Sequence, residues 1–379
     1  MRFLHTSDWQ LGMRRHYLDA EAGARFAAER FDAVRRLGEV GRKAGCDFAV
    51  VAGDVFESNR VAGEVVLKAI DAMAAADLPW YLLPGNHDPL DGASVYRSPE
   101  LAAGRRPSNI HLLTDFEPRR VTEGVEVVGA PWRSKRPGRD LVAELAASLS
   151  PARGLRVAVA HGRVDTFTPQ DRDPAIIRRQ GVDDAVERGL FHYLALGDRH
   201  SATRLGDRVY YSGAPEATDF KEQRPGRGLV VAVDAEGSRV EEVAVGRWTF
   251  RTDEARLAGE DDVAELENSL EDIADKTRAI LRLTLVGELS LRARALLDDT
   301  LERVRGRFAH LEADSSDLVL VPSRLDEEDL SLAGYGREAF RALQQAAGDP
   351  SSGDRPGERQ AASDALSLLY RLAGGGVDA

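Results

Sequence analysis

The sequence has very little cysteine and no long hydrophobic run. Its single cysteine, Cys46, excludes an intramolecular disulfide and a zinc site built from cysteines, and its surroundings predict a small buried side chain. No apolar run approaches the roughly 20 residues that a membrane-spanning helix needs. Residues 1–8 are too short and too polar for a signal peptide. These absences predict a cytoplasmic protein with no membrane association.

The chain also lacks an excess of positive charge. Its formal net charge of −12 excludes non-specific nucleic-acid binding by the surface as a whole, but it does not exclude a local basic groove. Basic residues cluster at 105–106, 119–120, 133–139 and 178–179. The segment 133–139, Arg-Ser-Lys-Arg-Pro-Gly-Arg, either contacts a phosphate backbone or is an ordinary solvated loop.

Hydrophobic residues make up 43% of the 379 positions, so the chain has room for two or three globular domains. Its first part alternates strand and helix patterns, with strands expected at 2–7, 47–52 and 78–83 and helices at 24–43 and 65–73. Such β-α-β units imply parallel strands with helices outside. Later strands lie close together with Gly and Asp turns, which favours antiparallel hairpins. The predicted fold class is therefore α/β, a mixed sheet system with outer helices in one domain of about 245 residues.

Two further segments follow this domain. Residues 251–328 have an α-β-α-β pattern that predicts a small separate α/β domain, with one helix carrying apolar residues from Leu297 to Leu311. Residues 329–379 predict a helix, a flexible linker at 348–357 and a short final helix. Because so short a helix is not stable alone in water, its apolar stripe must dock either on its own chain or on a partner.

Side chains that commonly bind metals follow several of the predicted strands. The segment Gly-Asn-His-Asp at 85–88 follows the third strand, at the sheet edge where open α/β sheets place their ligands. Any one such residue could be merely structural, but five strand ends carry them. Carboxylate, amide and imidazole ligands without thiolate suit Mn, Fe or Mg better than a structural zinc. The candidates are Asp8, Gln10, Asp54, Asn86, His87, His161, Asp198 and His200.

The motifs around these residues, taken in order and spacing, resemble the calcineurin-like metallophosphoesterases, and within them the nuclease subunits of SbcCD type. The resemblance covers residues 1–245, and it implies an α/β fold with a mixed β-sandwich flanked by helices at 1–250. It also suggests that 255–325 is the capping domain and that the tail binds a coiled-coil ATPase. The matching motifs are HTSDWQLG at 5–12, GDVFE at 53–57, GNHD at 85–88, AHG at 160–162, GDRH at 197–200 and VYYSGAPE at 209–216.

The resemblance implies a centre of two divalent metals that activate a hydroxide for in-line attack on a phosphodiester. It also implies that His87 contacts the scissile phosphate and stabilises or protonates the leaving oxygen, and that Asp88 orients the His87 ring. The implied ligands of one metal are Asp8, Gln10, Asp54 and His200. Those of the other are Asp54, Asn86, His161 and Asp198, with Asp54 bridging.

Two positions depart from the family, which usually has histidine where Gln10 and Asp198 stand. Both replacements can coordinate through oxygen, and harder oxygen ligands favour Mn²⁺ or Mg²⁺. We therefore expect two divalent ions, Mn²⁺ first, with Mg²⁺ or Fe as alternatives. Arg199 either offsets the Asp198 charge, contacts a phosphate or lies in solvent. Phe167, Trp132 and His16 are candidates for the rim of the site.

The resemblance predicts a metal-dependent DNA exonuclease and endonuclease, acting in DNA repair and recombination. The implied partners are DNA, an SbcC-like coiled-coil ATPase and a second copy of the chain in a homodimer. Two alternatives stay open from the sequence. One is a phosphodiesterase that acts on small substrates, and the other is a catalytically weak scaffold that holds the ATPase at DNA ends.

Overall fold

The computed structural model describes residues 1–102, 104–167, 170, 172–321, 334–348 and 356–372. The chain forms two compact units, Met1–Trp248 and Thr249–Ala379. The division at residues 250 and 328 stays a prediction, and the second of these boundaries lies outside the described residues. Most of the linker expected at 348–357 also lies outside them.

The first unit contains a six-stranded sheet in which strand-like runs of the sequence pair in parallel. Each short apolar run is buried from end to end, as expected for strands covered on both faces. Strands β1, β2, β3 and β4 are parallel neighbours, and β11 and β12 extend the sheet as an antiparallel pair. The strands are β1 (Arg2–Thr6), β2 (Phe48–Val51), β3 (Trp80–Leu82), β4 (Ile110–Leu112), β11 (Arg227–Val233) and β12 (Ser238–Ala244).

Two helices pack on this sheet. Helix α1 (Ala20–Lys43) begins at Asp19, whose carboxylate accepts the Ala22 N–H. Helix α2 is Gly63–Ala74. Apolar residues of both helices share one core with strand residues, including Leu37, Met73 and Trp80. The expected β-α-β units are therefore present, and Cys46, expected to be buried, is only partly buried at the edge of this core.

A second six-stranded sheet faces the first. Its strand order is β5-β6-β7-β8-β10-β9. Between the two sheets, Phe3 stacks on Phe48 at 5.1 Å and meets Tyr193 edge-on at 5.3 Å. The fold class is thus the predicted α/β sandwich. The strands are β5 (Arg119–Thr122), β6 (Val125–Ala130), β7 (Leu155–His161), β8 (Tyr193–Gly197), β9 (Thr203–Arg204) and β10 (Val209–Tyr211), with helices α3 (Leu141–Ser148) and α4 (Arg179–Glu187).

The expectation of late antiparallel hairpins is only partly right. Strands β11 and β12 do form a hairpin. Strand β10, however, pairs in parallel with β8, and the two-residue strand β9 lies antiparallel to β10. A two-residue strand carries no alternating pattern, so the sequence gives no sign of this crossover.

The second unit is a three-stranded parallel sheet with two covering helices. Its order is β-α-β-α-β, not the expected α-β-α-β, because Thr249–Leu257 forms an additional first strand. The helix expected to reach Leu311 ends at Arg305, and Leu311 lies on the next strand. The elements are β13 (Thr249–Leu257), α5 (Glu260–Glu271), β14 (Ala279–Leu289), α6 (Leu291–Arg305) and β15 (His310–Leu320).

Two further helices, α7 (Tyr335–Gly348) and α8 (Pro356–Leu372), complete the described part of this unit. Leu366 and Tyr370 of α8 are fully buried in a cluster with Leu291 and Phe340. The final helix therefore docks on its own chain, while Leu368 remains exposed. No described helix has the length and apolar character needed to span a membrane. Within the described residues, short 3-10 helices lie at Val95–Arg97, Asp165–Phe167 and Lys276–Arg278.

Candidate metal centre

The predicted ligands lie at carboxyl ends of parallel strands in both sheets. Asp8 and Asp54 follow β1 and β2 of the first sheet. His161 ends β7 of the second sheet, and Asp198 directly follows β8. Because the two sheets pack face to face, these loops can supply side chains to one place.

Asp8, Asp54 and His161 form the centre of this cluster. A ligand atom from each of them lies within 4.8 Å of the others. Their side chains are buried, with residue exposures of 0%, 2% and 3%. Two buried carboxylates beside an imidazole form an arrangement that is stable only with a compensating positive charge.

Asn86 and Asp198 adjoin His161. The Nε2 atom of His161 is 2.6 Å from Asn86 Oδ1, 3.4 Å from Asp54 Oδ2 and 3.8 Å from Asp198 Oδ1. Three different oxygens thus surround one imidazole nitrogen. This is the set of residues that the resemblance assigns to one metal.

Gln10 and His200 adjoin Asp8. His200 Nε2 is 3.8 Å from Asp8 Oδ1 and 3.5 Å from Gln10 Nε2. Gln10 is buried, and its Oε1 atom has no hydrogen-bond partner within the described ranges. The structure therefore brings all seven predicted ligands into one linked group, and their roles as ligands stay a prediction.

Four of these residues have left-handed backbone conformations, which are costly for residues other than glycine. Their φ angles are 54° at Asp8, 45° at Gln10, 54° at Asp54 and 96° at Asp198. Each such residue costs on the order of 1–3 kcal/mol and persists only where the surroundings impose it. The Asp8 N–H donates to the Gly53 carbonyl at 3.0 Å, and the Gln10 N–H donates to the Asp54 carbonyl at 2.9 Å. The strain is concentrated at the site, as in many functional centres.

Gly53 shows how tightly the loops are packed. Its φ is 91°, and a Cβ added there would lie 2.2 Å from His161 Nδ1. No side chain fits in that space. Glycine is therefore required for the loop after β2 to approach His161.

Both histidines are oriented through their other ring nitrogen. His161 Nδ1 donates to the Ala52 carbonyl at 2.8 Å, which leaves Nε2 to face the cluster. His200 Nδ1 lies 2.8 Å from Glu222 Oε1 and 2.7 Å from Thr218 Oγ1. Partners of this kind fix the tautomer of a metal-binding histidine. Glu222 was not predicted from the sequence, because no motif connects it to His200.

The electrostatics of the cluster favour positive charge. Burial lowers the pKa of His161, but Asp54, Asp8 and Asp198 outweigh it and raise the pKa well above its ordinary value. Burial likewise lowers the pKa of His200, and its hydrogen bond to Glu222 with the charges of Asp8 and Glu222 raises the pKa to about 9. A cluster that takes up protons so readily also attracts cations.

The resemblance gave His87 and Asp88 as a catalytic pair, and the structure separates them. His87 Nδ1 lies 2.9 Å from the Glu57 carbonyl, whereas Asp88 is fully buried. The carboxylate of Asp88 accepts the N–H groups of Phe56 and Gly85 and the Tyr96 hydroxyl. The expectation that Asp88 orients the His87 ring is therefore wrong. Asp88 instead holds the loops after β2 and β3 together.

The donor chemistry fits a divalent cation. Three carboxylates, two amide side chains and two imidazoles face one another without any thiolate, which suits hard or borderline metal ions. The buried Oε1 of Gln10, which lacks a partner among the described residues, is the type of atom that a cation would satisfy.

Comparison with known protein families agrees with this geometry. The model of the calcineurin-like phosphoesterases matches residues 1–231, more than half of the chain. The chain belongs to this family. Calcineurin-like phosphoesterases use divalent metals, and Asp8, Asp54 and His161 of this phosphoesterase form a possible metal site.

Proteins that are similar to this phosphoesterase include a relative of known sequence and a solved structure. The SbcD subunit of the nuclease SbcCD from Rhodobacter capsulatus is 29% identical over 265 residues, which cover 57% of this chain and 62% of the relative. The match thus spans less than two thirds of that relative's length. The crystal structure of TT1561 of Thermus thermophilus is 12% identical with a TM-score of 0.41, and the match covers 64% of this chain and 98% of that one.

Proposed function

We propose that this phosphoesterase is a DNA nuclease that hydrolyses phosphodiester bonds, in a DNA repair complex with an SbcC-like coiled-coil ATPase. The observation that carries the proposal is the convergence of seven oxygen and nitrogen donors around Asp8, Asp54 and His161. The similarity to a nuclease of Rhodobacter capsulatus supports DNA as the substrate. The proposal includes a homodimer and a cytoplasmic location.

Two divalent ions, Mn²⁺ in preference to Mg²⁺ or Fe, fit the donor set. Bound at this centre, they would supply positive charge to the phosphodiester and lower the pKa of water. The buried Asp54 lies between the two groups of ligands and would be shared by both ions. Asp8, Gln10 and His200 would complete one set, and Asn86, His161 and Asp198 the other.

His87 has the geometry of a proton donor to the leaving oxygen. Its Nδ1 donates to the Glu57 carbonyl, so Nε2 remains for a substrate. Nε2 can give a proton to the leaving oxygen when both ring nitrogens of His87 carry protons. Its backbone N–H donates to Asp54 Oδ1 at 2.9 Å, which ties the ring to the metal centre without using the side chain. A positioned acid of this kind contributes roughly 10²–10⁴-fold to a rate.

The basic segment 133–139 supports binding of a DNA backbone. It follows Trp132, whose Nε1 donates to the His161 carbonyl at 2.6 Å, so Trp132 anchors the segment and is not itself on the rim. Arg133, Lys135 and Arg136 are exposed. Exposed cations beside the site can bind phosphates without reading sequence.

Two of the other basic clusters contain arginines that are already paired with acids. Arg119 forms an ion pair with Asp115, and Arg179 forms one with Asp183.

The last described helix supports the choice of partner. Helix α8 docks on its own unit through Leu366 and Tyr370, while Leu368 and Leu372 are 56% and 77% exposed. An amphipathic helix with apolar residues on its outer side can present them to a second protein. The proposal assigns this surface to the ATPase.

A cleavage assay tests the proposal. The full chain, loaded with Mn²⁺, is incubated with linear DNA, hairpin DNA and bis-p-nitrophenyl phosphate, with Asp54→Asn as the inactive control. Cleavage of DNA by the native chain alone supports the nuclease. Hydrolysis of bis-p-nitrophenyl phosphate without DNA cleavage would replace it with the small-substrate phosphodiesterase. DNA binding without any hydrolysis would replace it with the scaffold.

A further inference from the structure

Arg199 and Phe167 form a cation–π pair next to the metal centre. The guanidinium carbon of Arg199 lies 4.3 Å from the centre of the Phe167 ring. Arg199 stands between Asp198 and His200 in the chain, and Phe167 ends the 3-10 helix Asp165–Phe167 that follows His161. The two loops that carry predicted ligands of the second sheet therefore also build this pair.

Arg199 is held in place and keeps its outer nitrogens available. Its Nε donates to Thr203 Oγ1 at 2.9 Å, and the flat guanidinium covers part of Phe167. Its two terminal nitrogens make no hydrogen bond or ion pair to any residue that the structure describes, Asp198 included. Arg199 therefore does not offset the Asp198 charge by direct contact, and its guanidinium is held in place instead of moving freely in solvent. A fixed guanidinium fork of this type matches the oxygens of a phosphate.

Phe167 remains exposed although it is part of this arrangement. Its residue exposure is 40%. The ring centre is 6.2 Å from that of Tyr211, whose hydroxyl donates to the Gly162 carbonyl at 2.7 Å. Tyr211 is almost fully buried and rigidly held, so it supports the Phe167 ring from inside. A supported aromatic ring facing solvent beside a fixed cation offers a surface on which a nucleobase stacks.

We propose that Arg199 and Phe167 recognise the nucleotide next to the scissile phosphate, with Arg199 binding a backbone phosphate and Phe167 stacking an unpaired base. This inference rests on the proposed nuclease function and names its substrate more closely. Bases in an intact duplex stack on one another, so an available base belongs to a single strand or a frayed end. The pair therefore selects single-stranded DNA ends over intact duplex.

Two matched oligonucleotides test the stacking surface. One is an ordinary single strand, and the other carries tetrahydrofuran abasic residues at its terminal positions, so that it has the same phosphates without the bases. We expect the native chain to cleave the base-bearing strand roughly 10-fold faster, as base stacking on an aromatic ring implies. Phe167→Leu, which keeps an apolar side chain of similar size, is expected to remove this preference. Phe167→Tyr is expected to retain it.

Arg199→Gln should slow cleavage of both oligonucleotides by the same factor, because both present phosphates. Tyr335→Ala, which removes an aromatic residue that is 86% exposed in the second unit, is the control for the loss of a surface ring. A second readout is a single strand with a terminal 2-aminopurine, whose fluorescence falls when the base stacks. The fluorescence is measured with Ca²⁺ as the added metal ion, and Phe167→Leu is the comparison variant.

The outcomes separate this inference from the proposed function. If the native chain cleaves both oligonucleotides at the same rate, and Phe167→Leu leaves both rates unchanged, Phe167 does not stack a base. The nuclease function would still be supported. A preference for the base that survives in Phe167→Leu would likewise overturn the role of Phe167. A third outcome is that the native chain cleaves neither oligonucleotide but lowers 2-aminopurine fluorescence, and Phe167→Leu does not. That result would support the stacking surface and would contradict the nuclease function.

Discussion

Gln10 Nε2 lies 3.5 Å from His200 Nε2, and His200 Nε2 lies 3.8 Å from Asp8 Oδ1. The three side chains come from two loops about 190 positions apart in the chain. Amide oxygen and nitrogen have nearly the same shape, so a half turn of the Gln10 amide brings Oε1 to the position of Nε2. The oxygen that lacks a partner among the described residues then faces His200. This relationship supports the prediction that Gln10 is an oxygen ligand in a position where the family usually has histidine.

We therefore expect Gln10→Ala to weaken Mn²⁺ binding by at least roughly 10-fold. Removing a residue that only hydrogen-bonds to a metal ligand already lowers metal affinity by about that factor. Gln10→His should bind Mn²⁺ at least as tightly as the native chain and should gain affinity for Zn²⁺, because imidazole is the softer ligand. Isothermal titration calorimetry measures both. Gln180→Ala, which removes an exposed glutamine on α4, is the control. Unchanged Mn²⁺ affinity in Gln10→Ala would exclude Gln10 from the metal centre.

The ligand positions were predictable from the sequence because each lies directly after a buried strand. Asp8 and Asp54 follow neighbouring parallel strands of the first sheet and so lie at a common edge, and the second sheet, packed face to face, adds His161 at the end of β7. Contacts made within loops were not predictable in this way. Glu222 reaches His200 from 22 positions away without a pattern, and the pairing of Asp88 with His87 came from the resemblance, which does not show where the two side chains point. Adjacent side chains in a turn commonly point apart, and here Asp88 turns into the core.

The same reasoning applies to secondary structure. Long periodic segments such as α1 were predictable because their apolar spacing extends over several turns. The short strand β9 and the first strand of the second unit were not. In Thr249–Leu257 most side chains are exposed or half-buried, so the segment lacks the apolar run of a central strand.

Glu222 is expected to stabilise the bound metal through His200. Its carboxylate is buried, with a side-chain exposure of 6%, and accepts the His200 Nδ1 proton. Removing such a partner typically costs roughly 10–100-fold in metal affinity, so we expect about that loss in Glu222→Ala and a smaller one in Glu222→Gln, whose oxygen can still accept. Calorimetric Mn²⁺ titration measures it. Asp219→Asn, an exposed acid in the same loop, should bind Mn²⁺ like the native chain. Equal affinities for Glu222→Ala and native chain would reduce Glu222 to a structural role.

His87→Gln is expected to lower kcat by about 100-fold or more while both metals remain bound. The contact of His87 with Asp54 uses the backbone N–H, which the substitution keeps. The His87 ring contacts the Glu57 carbonyl, which is not one of the predicted ligands. Turnover of an activated phosphodiester and the metal content of the purified variant are measured together. A variant that loses one or both metals would show that His87 is a ligand and not the proton donor.

His5 predicts how the stability of the first unit depends on pH. Its ring is fully buried between two partners: Nε2 donates to the Leu196 carbonyl, and Nδ1 accepts the Tyr193 hydroxyl, each at 3.2 Å. Burial, opposed only by the bond to Leu196, lowers the pKa of His5 from 6.5 to about 3. Between these two values the unfolded chain binds a proton that the folded chain does not. Stability is therefore lost as the pH falls below 6.5, by about 1.4 kcal/mol per pH unit from this residue.

We expect the unfolding free energy of His5→Gln to depend less steeply on pH than that of the native chain between about pH 4.5 and 6. The slope should be smaller by about 1.4 kcal/mol per pH unit. Urea unfolding in a chelator, followed by tryptophan fluorescence, measures it, because all four tryptophans lie in the first unit. The slope decides the outcome, since the substitution can also lower stability at every pH. His16→Gln, which removes an exposed histidine, is the control. Parallel pH curves for His5→Gln and the native chain would show that His5 does not stay neutral in the folded protein.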